Sequence, residues 1–192
     1  LHSMEQGSFG LSSGLEYAPG SYASTRELVE LAGAVAASGG VYATHVRNED
    51  EQVEAAIQEA LGICRESGVS LQISHLKANN PENWDKLDRV LELIHDAAQE
   101  GLPVNADRYP YIAYSTGLSI FLPLWSLQGD TGDLMARLND PAQLPGIMEY
   151  VEQRGRRIGG WERVVISSCF SESGKKWEGR SILECSEEAR LT

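Results

Sequence analysis

Between about residue 9 and residue 108 the sequence alternates short apolar runs with amphipathic stretches, and that alternation limits the possible fold more than any other feature. Residues 9–15, 41–46, 69–75 and 103–107 read as strands: each is short and is followed by turn or loop residues. The stretches between them have helical spacing. Ser24, with Glu27 three residues later, forms a capping-box signal before Leu28, Leu31, Ala32 and Val35, and Gly39-Gly40 closes that helix. Residues 50–66 place Val53, Ala56, Ile57, Ala60, Leu61 and Cys64 on one face. Pro81 opens a third helix, whose expected apolar face is Trp84, Leu87, Val90, Leu91, Ile94 and Ala98 and which ends at Gly101.

The resulting order is β-α-β-α-β-α-β, which implies parallel strands joined by helical crossovers and an α/β fold. Neither a glycine-rich dinucleotide fingerprint nor a phosphate loop follows any of the strands. A nucleotide-binding, doubly wound sheet is therefore disfavoured. The expected fold is a partial (β/α)8 TIM-barrel segment of about four βα units with a helical insertion, because 192 residues fall short of the roughly 250 of a complete barrel. Three regions are expected. Residues 1–109 form the barrel units, 110–161 a proline-punctuated insertion with helices at 131–138 and 142–155, and 162–192 a further strand at 164–169 and a short helix at 180–190 before the chain stops.

The formal charge of −12 argues against nucleic acid or an anionic membrane surface as a partner. No run approaches the roughly 20 apolar residues of a membrane span. Residues 1–4 lack the basic and apolar regions of a signal peptide, and the chain begins at Leu1 rather than a methionine, as expected either of a piece cut from a longer gene or of a chain from which residues were removed. Cys64, Cys169 and Cys185 lack metal-type spacing, read as core or incidental thiols, and fit a reducing, cytoplasmic compartment.

Two histidines end consecutive strands in the same way. His45 closes the run 41–44, and His75 closes 69–74. Parallel barrel strands bring their C-terminal ends to one mouth, so two imidazoles there suit a divalent metal such as zinc; the plainer alternative is a pair of hydrogen-bonded strand-end residues. His2 and His95, at the terminus and within a helix, carry no such expectation. The acidic run 48–51 reads as a helix N-terminus with charges that suit the dipole, rather than a calcium site. Asp107 is followed by Arg108 and reads as a loop anchor at least as well as a catalytic base.

Thr44-His45-Val46-Arg47 and Ile73-Ser74-His75-Leu76-Lys77 resemble the two strand-end histidine motifs of the N-acyl-D-amino-acid deacylase (D-aminoacylase) branch of the amidohydrolase superfamily. The upstream segment 7–17 and the downstream Ala106-Asp107-Arg108-Tyr109-Pro110-Tyr111, followed by Ser115-Thr116-Gly117-Leu118, are similar to that branch in order and spacing. The resemblance implies that His45 and His75 are ligands of a Zn2+ ion. It further implies that Tyr17, Lys77, Tyr109 and Ser115 line a pocket for an N-acyl-amino acid. Arg47 reads as structural or supporting. The reaction implied is metal-assisted hydrolysis of an N-acyl-D-amino acid to a D-amino acid and a carboxylate, with a carboxylate passing the proton from water to the leaving amine.

That family's catalytic aspartate, first-strand His-x-His pair and cysteine ligand have no counterpart among these residues. The chain by itself is thus expected to bind zinc weakly and to be inactive. Two other readings stay open: a related amidohydrolase acting on a cyclic amide or a dipeptide, and a non-catalytic module that self-associates through exposed barrel edges.

Overall fold

The computed structural model describes residues 1–189 and consists of two compact units, residues 1–111 and residues 112 onward. The first unit holds β1 (Gly10–Gly14), β2 (Val41–His45), β3 (Ser70–Ile73) and β4 (Val104–Ala106) in one parallel sheet, ordered β1-β2-β3-β4. After a short N-terminal helix α1 (His2–Glu5), the strands are joined in turn by α2 (Thr25–Ala36), α3 (Val53–Ser67) and α4 (Lys86–Gln99). A parallel pair needs such a crossover, because the chain must return to the same end of the sheet.

Burial alternates along β2 and β3. Tyr42, Leu71 and Ile73 are fully buried and join Ile57 and Ile63 of α3 and Val90 of α4 in one core. The alternating residues Ala43 and Gln72 remain partly open and belong to the other face. Helix α2 packs on α3 and α3 on α4, so all three crossovers lie on the same side of the sheet. This single-sided winding leaves the second face and the strand ends available for chemistry.

The local signals explain most element ends. The Ser24 hydroxyl accepts the Glu27 amide at 3.2 Å and caps α2. Gly68, at φ 73°, ends α3 in the left-handed conformation that a β-carbon disfavours. Two expectations are corrected. Helix α3 starts at Val53 rather than residue 50, because Asn48 Oδ1 accepts the amides of Asp50 and Gln52 and holds a turn there. In α4 the inward line is Val90 and Ala97, which are buried, with Leu93 and Ile94 partly buried beside them, whereas Trp84 precedes the helix and is 63% exposed and Leu91 is also exposed. Periodicity identified the helix, but packing on α3 and β4 set which side turned inward.

The Arg47 guanidinium clamps this unit together. It holds Glu59 of α3 through Nε and Nη2 at 2.8 and 3.0 Å, and it donates to the carbonyls of Ser21 and Ala23. This geometry makes Arg47 a structural residue. Burial alone would push the Glu59 carboxyl up; hydrogen bonds from Arg47 and Thr25, with the Arg47 charge, outweigh it and hold the group below its ordinary 4.5. A depressed carboxyl stabilises the fold above its unfolded value and loses that contribution as pH falls through the folded one. Glu59→Gln is expected to cost about 2 kcal/mol at pH 7, and the difference from the parent should shrink as pH falls below about 4.5. Urea unfolding at both pH values checks this; a gap that widens in acid contradicts it.

The second unit contains α5 (Thr131–Leu138), α6 (Leu144–Arg157) and α7 (Ile182–Ala189). Asp130 and Asp133 cap α5 reciprocally. Phe121 meets Trp161 edge-on, with ring centroids 5.2 Å apart. The expected strand at 164–169 is instead one antiparallel bridge, Val165 to Ser181, supported by backbone bonds from Ile166 to Arg180 and from Ile182 to Val164. An apolar run forms a strand only where a partner of matching length lies beside it. Of the helix expected at 180–190, residue 190 lies outside the described residues. No helix among the described residues is long and apolar enough to cross a membrane.

A candidate metal centre at the strand ends

His45 is the last residue of β2, and His75 follows β3 by two residues. Because the strands are parallel and adjacent, both imidazoles emerge at the same edge. His45 Nδ1 lies 3.1 Å from His75 Nε2, and the ring centroids are 4.7 Å apart at an angle of 71°. The two rings therefore share one opening.

The backbone at His75 is strained to achieve this. Its φ is +42°, a left-handed conformation that costs an L-residue about 1–2 kcal/mol. Asp107, just past β4, holds the turn. Its Oδ1 accepts the His75 amide at 2.7 Å, its Oδ2 accepts Gln72 Nε2 at 2.7 Å, and its carbonyl accepts the Leu76 amide at 2.8 Å. Asp107 is thus a loop anchor, with both carboxylate oxygens engaged.

The outer nitrogen of each ring faces a carboxylate. His45 Nε2 is 2.9 Å from Glu16 Oε2. His75 Nδ1 is 3.1 Å from Glu49 Oε1. Glu49 is 3% exposed and accepts from Lys77 Nζ at 2.5 Å; the same ammonium reaches His75 Nδ1 at 3.0 Å and the His75 carbonyl at 3.1 Å. Asn79 Nδ2 donates to the other Glu49 oxygen at 3.4 Å. A carboxylate accepts only from a ring N–H. Glu16 thus favours the His45 proton on Nε2 and a lone pair on Nδ1; at His75 Nδ1 the Glu49 carboxylate needs an N–H whereas the donor-only Lys77 ammonium needs a lone pair, so the His75 tautomer follows whichever of the two it pairs with.

The 3.1 Å between His45 Nδ1 and His75 Nε2 is bridged by one proton when His75 Nε2 carries it, or by a cation when both nitrogens present lone pairs. A tetrahedral ion with metal–nitrogen bonds of 2.0–2.1 Å holds its ligands about 3.3 Å apart, so the spacing fits one ion on both rings. His45, Glu49 and His75 form the group among the described residues able to hold a metal. The Glu49 side of His75 is already taken by the Lys77 ammonium, so an ion there would have to displace it. The inner nitrogens are the better seat, with Glu49 as an orienting carboxylate.

Tyr17 and Tyr109 gather at the same place. The Tyr17 ring is 4.9 Å from the His45 ring, and Lys77 Nζ is 5.7 Å from the Tyr109 ring centre. Burial, followed by the Glu49 charge, pushes the Tyr109 phenol up, so it stays protonated and able to donate at neutral pH. Lys77 is 9% exposed and salt-bridged to Glu49 at 2.5 Å. Ser115 is exposed and belongs to the second unit.

Sequence reasoning missed Glu16 and Glu49. Glu16 stands beside Tyr17 in a segment already singled out, so adjacency was its available signal. Glu49 was assigned to a helix N-terminus. The turn at 48–52 instead sends it inward, a fold that local charge pattern does not disclose.

No family model matches the chain. In sequence it is 42% identical over 113 residues to an N-acyl-D-glutamate deacylase of Alcaligenes xylosoxydans xylosoxydans, covering 59% of this chain and 23% of that protein. It is 41% identical over 115 residues to a D-aminoacylase of the same organism, covering 60% and 24%. The chain therefore spans about a quarter of the length of the curated relatives it matches. In structure it is similar to an N-acyl-D-glutamate deacylase from Bordetella bronchiseptica complexed with zinc and a phosphonate inhibitor that mimics the tetrahedral intermediate. The TM-score is 0.72 at 27% identity, over 96% of this chain and 31% of that one.

Proposed function

We propose that this chain, which is related in sequence and structure to the D-aminoacylase branch of the amidohydrolases, supplies two zinc ligands and part of the substrate pocket of an N-acyl-D-amino-acid deacylase. The observation that carries the reading is the 3.1 Å approach of His45 Nδ1 to His75 Nε2 at one sheet edge. The four strands with helices on one side are read as a wall of a (β/α)8 barrel, with 110–161 as an insertion.

Bound zinc would supply a Lewis acid and a water molecule acidic enough to act at neutral pH. The chain's own residues do the rest of what can be derived. His45 and His75 hold the ion. Protonated Tyr109 offers a hydroxyl that can polarise the scissile carbonyl or bind the acyl-amino acid, and Tyr17 is assigned to substrate binding beside it. Lys77 keeps the acidic side of the pocket neutral and lends positive potential toward the substrate carboxylate. The relatives' names favour a linear N-acyl-D-amino acid over a cyclic amide or a dipeptide. A carboxylate base is assigned outside these residues, because Asp107 is fully engaged in holding its loop.

A purified polypeptide of these 192 residues is expected to bind zinc more weakly than micromolar and to leave N-acetyl-D-amino acids unhydrolysed, since structural and catalytic zinc sites normally use three or four protein ligands. Isothermal titration and a D-amino acid assay check this. Submicromolar affinity at one equivalent, or turnover, overturns the division of the site. A longer protein containing this sequence should hydrolyse N-acyl-D-amino acids in preference to their L-forms and stop when chelated; indifference to chelation removes the deacylase reading.

Self-association is a second reading of the chain alone. β1 and β4 end the sheet among the described residues, and unpaired parallel edges invite pairing. Light scattering that shows a clean monomer counts against it. We assign the cytoplasm as the compartment on the free cysteines, with Cys64 buried and donating to the Val69 carbonyl.

A further inference from the structure

We propose that Glu16 is a positioning residue for the metal centre: its carboxylate accepts the Nε2 proton of His45 and fixes the ring so that Nδ1 faces His75. The inference rests on the metal reading above. It concerns one side chain and one proton.

The residues after β1 wrap His45 from three directions. Gly14 is in register with His45, and the next amide, of Leu15, donates to the His45 carbonyl at 3.0 Å. That bond sets the path of the chain beside β2. Glu16 then reaches the outer ring nitrogen at 2.9 Å, and the Tyr17 ring packs 4.9 Å from the imidazole. Both the Glu16 and His45 side chains are largely shielded, at 13% and 14% exposed. Water is therefore a poor substitute for the carboxylate.

Glu49 does not compete for this role. Its Oε1 is 3.9 Å from His45 Nε2, beyond hydrogen-bond range, and is held by Lys77 at 2.5 Å. Glu16 is thus the acceptor beside His45, while Glu49 is paired with Lys77 beside His75. A neutral imidazole has one N–H and one lone pair, so placing the proton on Nε2 delivers the lone pair at Nδ1. A carboxylate behind a ligating histidine also raises the basicity of the ring, and losing such a partner typically costs 10–100-fold in metal affinity.

The test uses the 192-residue chain labelled with 15N-histidine, read by NMR without metal and during zinc titration. In the metal-free parent, His45 should carry its proton on Nε2, with a downfield, exchange-protected resonance. In Glu16→Ala that protection should vanish, while His75 resonances and the circular dichroism stay as in the parent, and the zinc dissociation constant should rise by about 10–100-fold. Glu16→Gln keeps an acceptor oxygen without charge and should fall between them. A proton on Nδ1 of His45 in the parent overturns the proposal, as does a Glu16→Ala affinity within two-fold of the parent. Should Glu16→Ala fail to fold, the parent's proton position and the isosteric Gln variant decide. A parent that binds no zinc at all defeats the metal reading, whereas the proton's position still judges Glu16.

Discussion

Replacing His75 by alanine is expected to weaken zinc binding by more than about 100-fold. The bound comes from a comparison: losing a group that merely orients a ligand costs 10–100-fold, and His75 is placed to be the ligand itself. Its Nε2 faces His45 Nδ1 at 3.1 Å, so the remaining ring cannot hold an ion against solvent alone. His45→Ala should behave in the same way. His95 is the control. It is exposed on α4 and contacts Gln99 at 2.8 Å, and its removal should leave affinity unchanged. Position 75 has φ +42°, so alanine also meets backbone strain there; asparagine tolerates that conformation better and separates loss of the ligand from loss of the turn. Zinc titrations of the four variants decide the matter. If His75→Ala and His75→Asn both bind within ten-fold of the parent, the two rings do not grip one ion.

The second large effect is on stability. Glu49→Ala is expected to destabilise the first unit by about 3–5 kcal/mol, because it leaves the Lys77 ammonium buried without its partner. The pair as a whole need not be strongly stabilising, since both charges gave up water to form it. Its removal in two steps should therefore be asymmetric. Adding Lys77→Met to Glu49→Ala should recover most of the loss, as an apolar chain of similar length replaces the orphaned charge. Urea unfolding of the parent, the single variant and the double variant reads this directly. A single variant within 1 kcal/mol of the parent would mean that Lys77 finds solvent easily, and its role as a paired charge would fall.

The two experiments separate roles that the local sequence merges. Lys77 and His75 are two residues apart and share the carboxylate of Glu49. One is read by metal affinity and the other by folding energy.

The sequence alone carried the α/β alternation and the order of the four strands, because hydrophobic periodicity and turn residues act over a few neighbouring positions. It also carried the convergence of His45 and His75. Once strands are parallel and consecutive, equivalent ends must meet. The asparagine turn that delays α3, the inward face of α4 and the lone bridge at Val165 were decided by partners distant in the chain. The carboxylates behind the rings belong to the same class. Glu16 reaches His45 across 29 residues through strand register, and Glu49 turns inward only because Asn48 bends the backbone before the helix. Periodicity is a local property of the chain, but which side chain completes another's hydrogen bond depends on register and packing, and those exist only in the folded molecule.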